Sequence, residues 1–374
     1  MNSQIKSWDA FRVRIPLVNP YHLSKVYGTI THSDVIFLKI ATFDGTVGWG
    51  EADPGGVKFT GDTPESEMKS IHQGSLNFLK GLEIENWVAS GKSKEGGGAL
   101  AAACDVAIHD ALARQKQIPV WQLLGKKQRD TIDLLWPTSS GSSSEDLKII
   151  REFNARGFKT YMLKMGDRSI PDELKRLQEV FAQLPEGVRL MVDANQGWTR
   201  EEADEFFQGA KDFPLILTEQ PLPADDLAGL RGLREKFGQT VSVDESVQSL
   251  ESTEEILEED AADIFSIKIS KNGGLHSSHQ IAKMVAAKGK RVLMNSMIEL
   301  GITQCASLQL GCVLENLVDC GHAYMSTLRT SDDVTDFSSW IENGTARLQD
   351  SPGLGLNVDF EKINKYLEDE HHGS

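Results

Sequence analysis

From residue 131 onward, short apolar runs rich in β-branched residues alternate with amphipathic stretches of helical periodicity. This alternation predicts parallel βαβ units, because two consecutive parallel strands need a crossover helix between them. The predicted strands are 132–136, 160–164, 188–193, 215–219, 241–244, 264–269, 291–295 and 317–319. Eight such units favour an α/β fold of the (β/α)8 barrel type, and a doubly wound open sheet is the competing architecture.

The first 130 residues have a different pattern, which is typical of an α+β unit. The segments on either side of Asp44-Gly45 alternate apolar and polar residues, which predicts a hairpin with a type I′ turn. Stretches 65–78 and 99–116 carry apolar residues at helical spacing and predict two helices. The chain therefore combines a mixed α+β segment with a barrel-like segment.

Each central strand of the predicted barrel ends in a polar residue, and the successive steps are 29, 26, 25 and 24 residues: Lys164, Asp193, Glu219, Asp244 and Lys268. These side chains are expected at the carboxyl ends of successive strands, where barrel enzymes build their active sites. Three carboxylates that converge there repel one another unless a cation neutralises them. All-oxygen ligation selects Mg²⁺ or Mn²⁺ over zinc. The sequence therefore predicts that Asp193, Glu219 and Asp244 bind a hard divalent cation.

The two lysines of this set lie on predicted strands two and six, which are opposite each other in a ring of eight. A substrate carboxylate on the metal would have one lysine on each face. Nearby positive charge lowers the pKa of a lysine and makes it a usable base. Lys164 and Lys268 are thus the predicted acid/base pair, and the metal would stabilise the enediolate that forms when the α-proton leaves.

Composition excludes several function classes. The net charge of −16 disfavours nucleic acids and anionic membranes as partners. No apolar run approaches the roughly 18 residues that span a bilayer, and the first residues lack the apolar core of a signal peptide. The cysteines form no CxxC pair and are expected as buried reduced thiols. We therefore expect a cytoplasmic enzyme that acts on a small molecule, and we expect it to be a homo-oligomer.

Several stretches in order along the chain resemble the enolase superfamily, specifically its muconate lactonizing enzyme subgroup within the mandelate racemase/muconate lactonizing enzyme family. They are 21–24, 48–52, 55–65, 107–125, 244–274 and 352–355. This resemblance implies an α+β capping domain at 1–130, completed by 345–374, and a modified barrel as catalytic domain at 131–344. It also implies the same metal ligands and the same lysine pair.

The resemblance further implies residues around the reaction centre. A mobile loop at about 19–34 and the last barrel loops would contact substrate, with these residues expected there: Tyr21, His22, Lys25, Tyr27, Asn295, Glu299 and His322. Three others are expected to support the ligands from behind: Asn195, Glu245 and Lys271. A closing loop would exclude water from the reaction.

Three departures from the family pattern stand out. Met162 occupies the position of the first lysine in the family's KxK motif, which puts true muconate cycloisomerase activity in doubt. The DxD pair of dipeptide epimerases corresponds to 319–321, where one carboxylate is missing. Residues 294–296 contain no histidine, which disfavours the mandelate racemase-like and sugar-acid dehydratase branches.

The predicted function is a metal-dependent isomerase that abstracts the α-proton of a small carboxylate. Two lysines on opposite faces permit racemisation or epimerisation, and the same parts could serve a cycloisomerase. A syn-eliminating lyase or dehydratase is the alternative on the same scaffold. A metal-free Schiff-base aldolase that uses Lys268 is a further alternative, which the three carboxylates disfavour. A homologue that only binds a ligand is the remaining possibility.

Overall fold

The computed structural model describes residues 2–91, 98–139 and 141–373. In these ranges the strands are β1 Ile5–His22, β2 Thr29–Thr42, β3 Val47–Ala52, β4 Thr131–Asp133, β5 Leu135–Pro137, β6 Thr160–Lys164, β7 Arg189–Asp193, β8 Thr218–Glu219, β9 Val241–Val243, β10 Ile264–Ile267, β11 Arg291–Met294, β12 Ile341–Glu342, β13 Thr345–Arg347 and β14 Leu367–Gly373.

The helices of the described ranges are α1 Val57–Thr60, α2 Pro64–His72, α3 Ile84–Ser90, α4 Gly98–Gln115, α5 Trp121–Leu124, α6 Ser143–Asn154, α7 Ile170–Phe181, α8 Arg200–Ala210, α9 Leu227–Phe237, α10 Leu250–Glu258, α11 Leu275–Ala287, α12 Gly301–Gly311 and α13 Phe360–Lys365. Short 3₁₀ turns lie at Asn77–Leu79, Ser326–Leu328 and Phe337–Trp340. Among the described helices, each is too short or too polar to cross a bilayer.

The N-terminal part forms an antiparallel sheet with the strand order β14-β1-β2-β3, covered by α4. Its C-terminal strand β14 pairs with β1 and has no clear sequence signal, because its residues are mostly polar. The predicted type I′ turn is wrong: Gly45 has a φ of 86°, but Asp44 keeps an ordinary negative φ. A type I′ turn needs positive φ at both central residues. The Gly45 N–H bonds instead to the Thr42 carbonyl, 3.0 Å away, in a longer loop.

Two glycines of β3 let the sheet lie directly against α4. A Cβ atom at Gly48 would collide with the carbonyl oxygen of Ala107, and one at Gly50 would collide with that of Ala103. The neighbouring atoms belong to the backbone of a helix and cannot move aside. The close approach of β3 to α4 therefore depends on these two positions.

We expect the Gly50→Ala variant to lower the free energy of unfolding by about 2–3 kcal/mol, since overpacking a core contact costs about 1–3 kcal/mol and this contact is to backbone. Urea unfolding followed by circular dichroism measures the change. Gly232→Ala in α9 is the matched control, because no atom lies within 4 Å of a Cβ there. The control should be neutral or slightly stabilised, and equal stability of both variants would contradict the packing argument.

The C-terminal part contains a seven-stranded parallel sheet with the order β11-β10-β9-β8-β7-β6-β5. The segment 316–323 closes it into a ring, although its pairing is limited to single bridges with Val292 and Leu134. The Val292 N–H donates to the Asn316 carbonyl (2.9 Å), and the Leu135 N–H donates to the His322 carbonyl (2.9 Å). The predicted eighth strand is therefore an irregular segment that joins the two sheet edges.

The barrel helices begin where the sequence places short polar caps. The side chains of Ser142, Ser169, Thr199 and Ser249 each accept a hydrogen bond from a backbone N–H in the first helical turn. Such caps satisfy donors that have no partner inside the helix. Helix α7 consequently begins at Ile170, directly after its Ser169 cap.

After the barrel the chain returns to the N-terminal sheet in two steps. The strand β13 first pairs antiparallel with β4, and so lies against the barrel. The Leu354 N–H then donates to Asp110 Oδ1 of α4 at 2.7 Å, and β14 joins the N-terminal sheet. The four cysteines are thiols buried in the core, as the spacing predicts.

Candidate active site

The register of the parallel sheet brings the predicted polar residues to one rim. Lys164 pairs with Asp193 across β6 and β7, and Asp193 pairs with Glu219 across β7 and β8. Asp244 and Lys268 directly follow β9 and β10. All five side chains are buried, although charged groups seldom are unless they are paired. The strand pattern alone therefore located this cluster.

Lysines and carboxylates in the cluster form ion pairs. Lys164 bonds to Asp193 Oδ2, and Lys268 Nζ lies 2.6 Å from Asp244 Oδ2. Burial by itself lowers the pKa of both lysines, but the charges of the adjacent carboxylates outweigh burial and hold each pKa above its ordinary value. This differs from the predicted lowering, because the groups that contact the two ammonium groups are anions rather than cations.

Glu219 is the central carboxylate of the rim and is completely buried. Its Oε1 accepts a hydrogen bond from Asn295 Nδ2 at 2.8 Å, and its Oε2 accepts one from Ser266 Oγ at 2.7 Å. Burial, followed by the charges of Asp193 and Asp244, raises the pKa of Glu219 well above its ordinary value. Three acids this close need a cationic partner to be ionised together.

The residues expected behind the rim support it. Lys271 Nζ lies 2.7 Å from Asp244 Oδ1, and the Asn195 N–H donates to Asp193 Oδ1 at 2.8 Å. Asn195 Nδ2 also donates to Glu245 Oε1 at 3.2 Å. Burial, reinforced by the charges of Asp244 and Asp193, raises the pKa of Glu245 to about 7.

The donor set fits a hard divalent cation. In the described part of the chain, no three His, Cys, Asp or Glu side chains are arranged to hold a metal. Asp193 and Asp244 instead form ion pairs with Lys164 and Lys268. Two buried oxygens beside them, Asn195 Oδ1 and Glu245 Oε2, have no hydrogen-bond partner. Buried acceptors without partners are rare and need an explanation such as an ion. Oxygen-only donors are the ligands that Mg²⁺ prefers.

A cavity of about 250 Å³ opens directly onto the rim. Lys164, Lys268, Asn195 and Asn295 line its floor. Its walls are largely apolar and come from both parts of the chain, with these residues among them: Leu23, Ile30, Phe59, Leu135, Met162, Ile298 and Met325. An apolar cavity with a few convergent polar groups is the usual form of a small-molecule site.

The predicted substrate loop is shorter than expected. Residues 19–22 and 29–34 belong to β1 and β2, so only 23–28 connect the strands. Ser24 Oγ donates to the Asn195 carbonyl at 3.0 Å, which fixes this hairpin end to the barrel rim. The Tyr27 hydroxyl accepts a hydrogen bond from Gln196 Nε2 at 2.7 Å. The Tyr27 ring stacks on the Phe59 ring, with 3.9 Å between the ring centroids.

The structure brings only some of the expected substrate-binding residues to the cavity. Tyr21 and Asn295 line it, whereas Tyr27 packs behind its Phe59 wall. His22 Nδ1 is instead paired with the Thr29 hydroxyl at 2.7 Å, outside the cavity. Lys25 Nζ lies 3.7 Å from Glu202 of the barrel, also outside the cavity.

Glu299 and His322 are also away from the lining. Glu299 is buried and accepts hydrogen bonds from the Met297 N–H (2.6 Å) and Gln304 Nε2 (2.8 Å). His322 accepts from the Met294 N–H at Nδ1 (2.9 Å), and its Nε2 lies 3.3 Å from a backbone carbonyl. Burial lowers the pKa of His322 to about 4, so the ring is neutral and braces the closing segment 316–323.

Comparison with known proteins agrees with this geometry. The family model "Mandelate racemase / muconate lactonizing enzyme, N-terminal domain" matches residues 8–125, and "Enolase C-terminal domain-like" matches residues 147–363. The chain belongs to the mandelate racemase/muconate lactonizing enzyme family. It is therefore an isomerase of the muconate lactonizing type, with an enolase-like N-terminal domain and a C-terminal barrel. The family, fold class and isomerase class predicted from the sequence are confirmed.

Individual relatives of this family cover nearly the whole chain. Muconate cycloisomerase 1-2 of Acinetobacter lwoffii is 28% identical over 99% of this chain and 97% of its own. L-Ala-D/L-Glu epimerase of Bacillus subtilis is 30% identical over 93% of this chain and 95% of its own. The solved structure of N-succinyl Arg/Lys racemase from Bacillus cereus has a TM-score of 0.92 at 22% identity and covers 99% of both chains, which shows the shared fold.

The structure corrects one detail of the family comparison. Residues 319–321 do not reach the active-site rim, because the Gly321 N–H bonds to Thr160 at the amino end of β6 (3.0 Å). The rim is reached further on, where the Ala323 N–H bonds to the Met294 carbonyl at the end of β11 (3.0 Å). A DxD pair at the rim would therefore occupy positions 323 and 325. Neither of these positions holds a carboxylate in this chain.

One charged residue of the cavity has no sequence signal. Arg329 lines the cavity, and its guanidinium carbon lies 3.6 Å from the centroid of the Tyr21 ring. It follows the 3₁₀ turn Ser326–Leu328, in a stretch without strand or helix periodicity. A lone arginine in such a stretch is typical of a solvated surface, so only the fold could place it.

Proposed function

We propose that this isomerase transfers a proton at the α-carbon of a small carboxylate, with Mg²⁺ as its metal, and that it acts as a racemase or epimerase. One observation carries the proposal. Lys164 and Lys268 line the same cavity but pair with different carboxylates, Asp193 and Asp244, on either side of Glu219. A substrate carbon between the two lysines would meet one basic group from each side.

Asp193, Glu219 and Asp244 are the proposed ligands of Mg²⁺, for which Mn²⁺ could substitute. The bound ion would supply positive charge that stabilises the negative charge developing on the substrate carboxylate as the α-proton leaves. Lys271 holds Asp244 in place through its ion pair, and Asn195 holds Asp193 through its backbone N–H. Such supporting contacts orient ligands and tune the site.

The same proposal includes the location and partners of the enzyme. The chain's net charge of −16 disfavours a nucleic acid or an anionic membrane as partner, and we propose a small-molecule carboxylate instead. We propose a cytoplasmic homo-oligomer. Tyr21 and Asn295 are the proposed substrate contacts of the predicted set, since both line the cavity.

Cycloisomerisation is the second candidate function, and syn-elimination would use the same parts. Met162 lines the cavity beside Lys164, so the two lysines stand in different surroundings. The unequal surroundings suit a reaction in which only one lysine moves the proton. Met162 itself departs from the muconate cycloisomerase pattern, so a muconate is not the expected substrate of that reaction. A Schiff-base aldolase is disfavoured, because the three buried rim carboxylates fit a cation that such a reaction does not need.

Metal removal tests the proposed function. In D₂O, the enzyme should exchange the α-proton of at least one member of a panel of acyl amino acids, dipeptides, cyclic amino acids and muconates, read by proton NMR. Dialysis against EDTA should reduce that exchange at least about 100-fold, and added Mg²⁺ should restore it. Exchange that persists without metal, together with borohydride trapping of substrate on Lys268, would instead establish the aldolase.

A further inference from the structure

We propose that Arg329 forms an anion subsite in the cavity and that it selects substrates carrying a second carboxylate away from the reacting carbon. This inference rests on the proposed function, because it names the substrate class of the same site. It depends on the position of one guanidinium group in the cavity lining and on its Nη1 atom, which is buried and has no hydrogen-bond partner.

Arg329 differs from a structural arginine of the same molecule. Arg176 is buried, and it donates hydrogen bonds to both oxygens of Asp146 and to two backbone carbonyls. Arg329 Nη1 is buried and has no hydrogen-bond partner. No carboxylate in the described ranges forms an ion pair with Arg329. Buried donors without partners are costly, so this one calls for an acceptor that enters the cavity.

The surroundings of Arg329 hold it ready for such an acceptor. Its guanidinium lies over the Tyr21 ring, a cation–π contact that restrains the guanidinium plane. Lys164 Nζ lies 6.0 Å from the centroid of the same ring. The reacting end of the cavity and the Arg329 subsite are therefore neighbours across one aromatic side chain. A short dicarboxylate fits this spacing better than a long one.

The other charged groups of the cavity leave this role to Arg329. Lys164 and Lys268 belong to the reacting end of the cavity, where they contact the rim carboxylates. Of the acids in the lining, Asp34 and Glu65 are paired with Arg12, and Asp53 accepts from the N–H groups of Ile298 and Gly55, each at 2.9 Å. A guanidinium binds a carboxylate through two parallel hydrogen bonds, whereas a carboxamide offers no matching charge.

Binding of glutarate and of its monoamide, glutaramate, tests the subsite. Both compounds offer one carboxylate to the reacting end, and they differ only in the charge of the distal group. In Mg²⁺-containing buffer, calorimetry should show glutarate binding the wild-type enzyme about 10- to 100-fold more tightly, the range expected for charged hydrogen bonds. The Arg329→Gln variant should bind both compounds with nearly equal affinity, and Arg329→Lys should retain part of the preference.

Matched controls separate this effect from a general loss of structure. Arg200→Gln removes an exposed arginine that is paired with Asp226 outside the cavity, and it should keep the wild-type preference. Circular dichroism and the thermal unfolding midpoint report whether each variant folds. If Arg329→Gln does not fold, the wild-type preference and the Arg329→Lys variant still decide the question.

A substrate pair then connects binding with turnover. The dipeptides Ala-Glu and Ala-Gln differ in the same way as the two ligands, and Arg329→Gln should reduce kcat/KM for α-proton exchange of Ala-Glu about tenfold or more while changing that of Ala-Gln little. Equal wild-type affinity for glutarate and glutaramate, or an unchanged preference in Arg329→Gln, overturns the subsite. Absence of exchange from every substrate overturns the proposed function instead, and the calorimetric preference for glutarate remains measurable.

Discussion

Replacing any one rim carboxylate should abolish both metal binding and proton exchange. In Asp193→Asn, Glu219→Gln and Asp244→Asn we expect Mg²⁺ affinity to fall at least about 100-fold, because changes behind a ligand alone cost about 10- to 100-fold. The three acids are buried side by side, so the loss of one removes both a donor and a charge that the ion neutralises. Calorimetric titration with Mg²⁺ measures binding, and NMR in D₂O measures exchange.

The opposite end of the barrel offers a matched control for this prediction. Asp263 directly precedes β10 at its amino end, where it pairs with Arg234. The Asp263→Asn variant should keep wild-type Mg²⁺ affinity even if it is slightly less stable. A rim variant that binds Mg²⁺ and exchanges protons as the wild-type enzyme does would remove that residue from the proposed ligand set.

The second large effect concerns stereochemistry. In D₂O, Lys164→Ala should stop α-proton exchange from one stereoisomer and leave exchange from the other, and Lys268→Ala should show the reverse. The reason is that each lysine pairs with a different rim carboxylate and approaches the cavity from a different strand. Loss of a general base costs about 10²- to 10⁴-fold in rate, which separates the two stereoisomers clearly in an NMR time course.

The pattern of loss across the two lysine variants distinguishes the candidate functions. Lys290→Ala is the control, because Lys290 lies just before β11 at the amino end of the barrel and pairs with Asp260. Loss of exchange in the Lys268 variant alone would indicate a one-base cycloisomerase or lyase. Full exchange of both stereoisomers in both variants would end the two-lysine proposal.

Much of the barrel could be predicted from local pattern. Strand β6 has the predicted bounds, 160–164. Apolar strands in a parallel sheet are buried on both faces, so they stand out in the sequence as short continuous runs. The closing segment 316–323 was harder to place, because its single bridges impose no alternating pattern. Residues 319–321, where the DxD pair was expected, therefore lie at the amino end of the barrel rather than at the rim.

The sequence by itself determined the rim of the active site. A polar residue that ends each strand of a parallel sheet must reach the same edge, and steps of one βα unit therefore placed Lys164, Asp193, Glu219, Asp244 and Lys268 together. The order of the motifs likewise carried the resemblance to the family and, through it, the isomerase class.

Only the tertiary structure decided what surrounds that rim. Whether Tyr21 or His22 faces the cavity depends on how the hairpin end at 23–28 docks on the barrel, and that docking joins residues far apart in the chain, such as Ser24 and Asn195. Arg329 likewise becomes a cavity residue only through its contact with Tyr21. Local periodicity reports which residues an element buries, but contacts between loops depend on the packing of the whole chain.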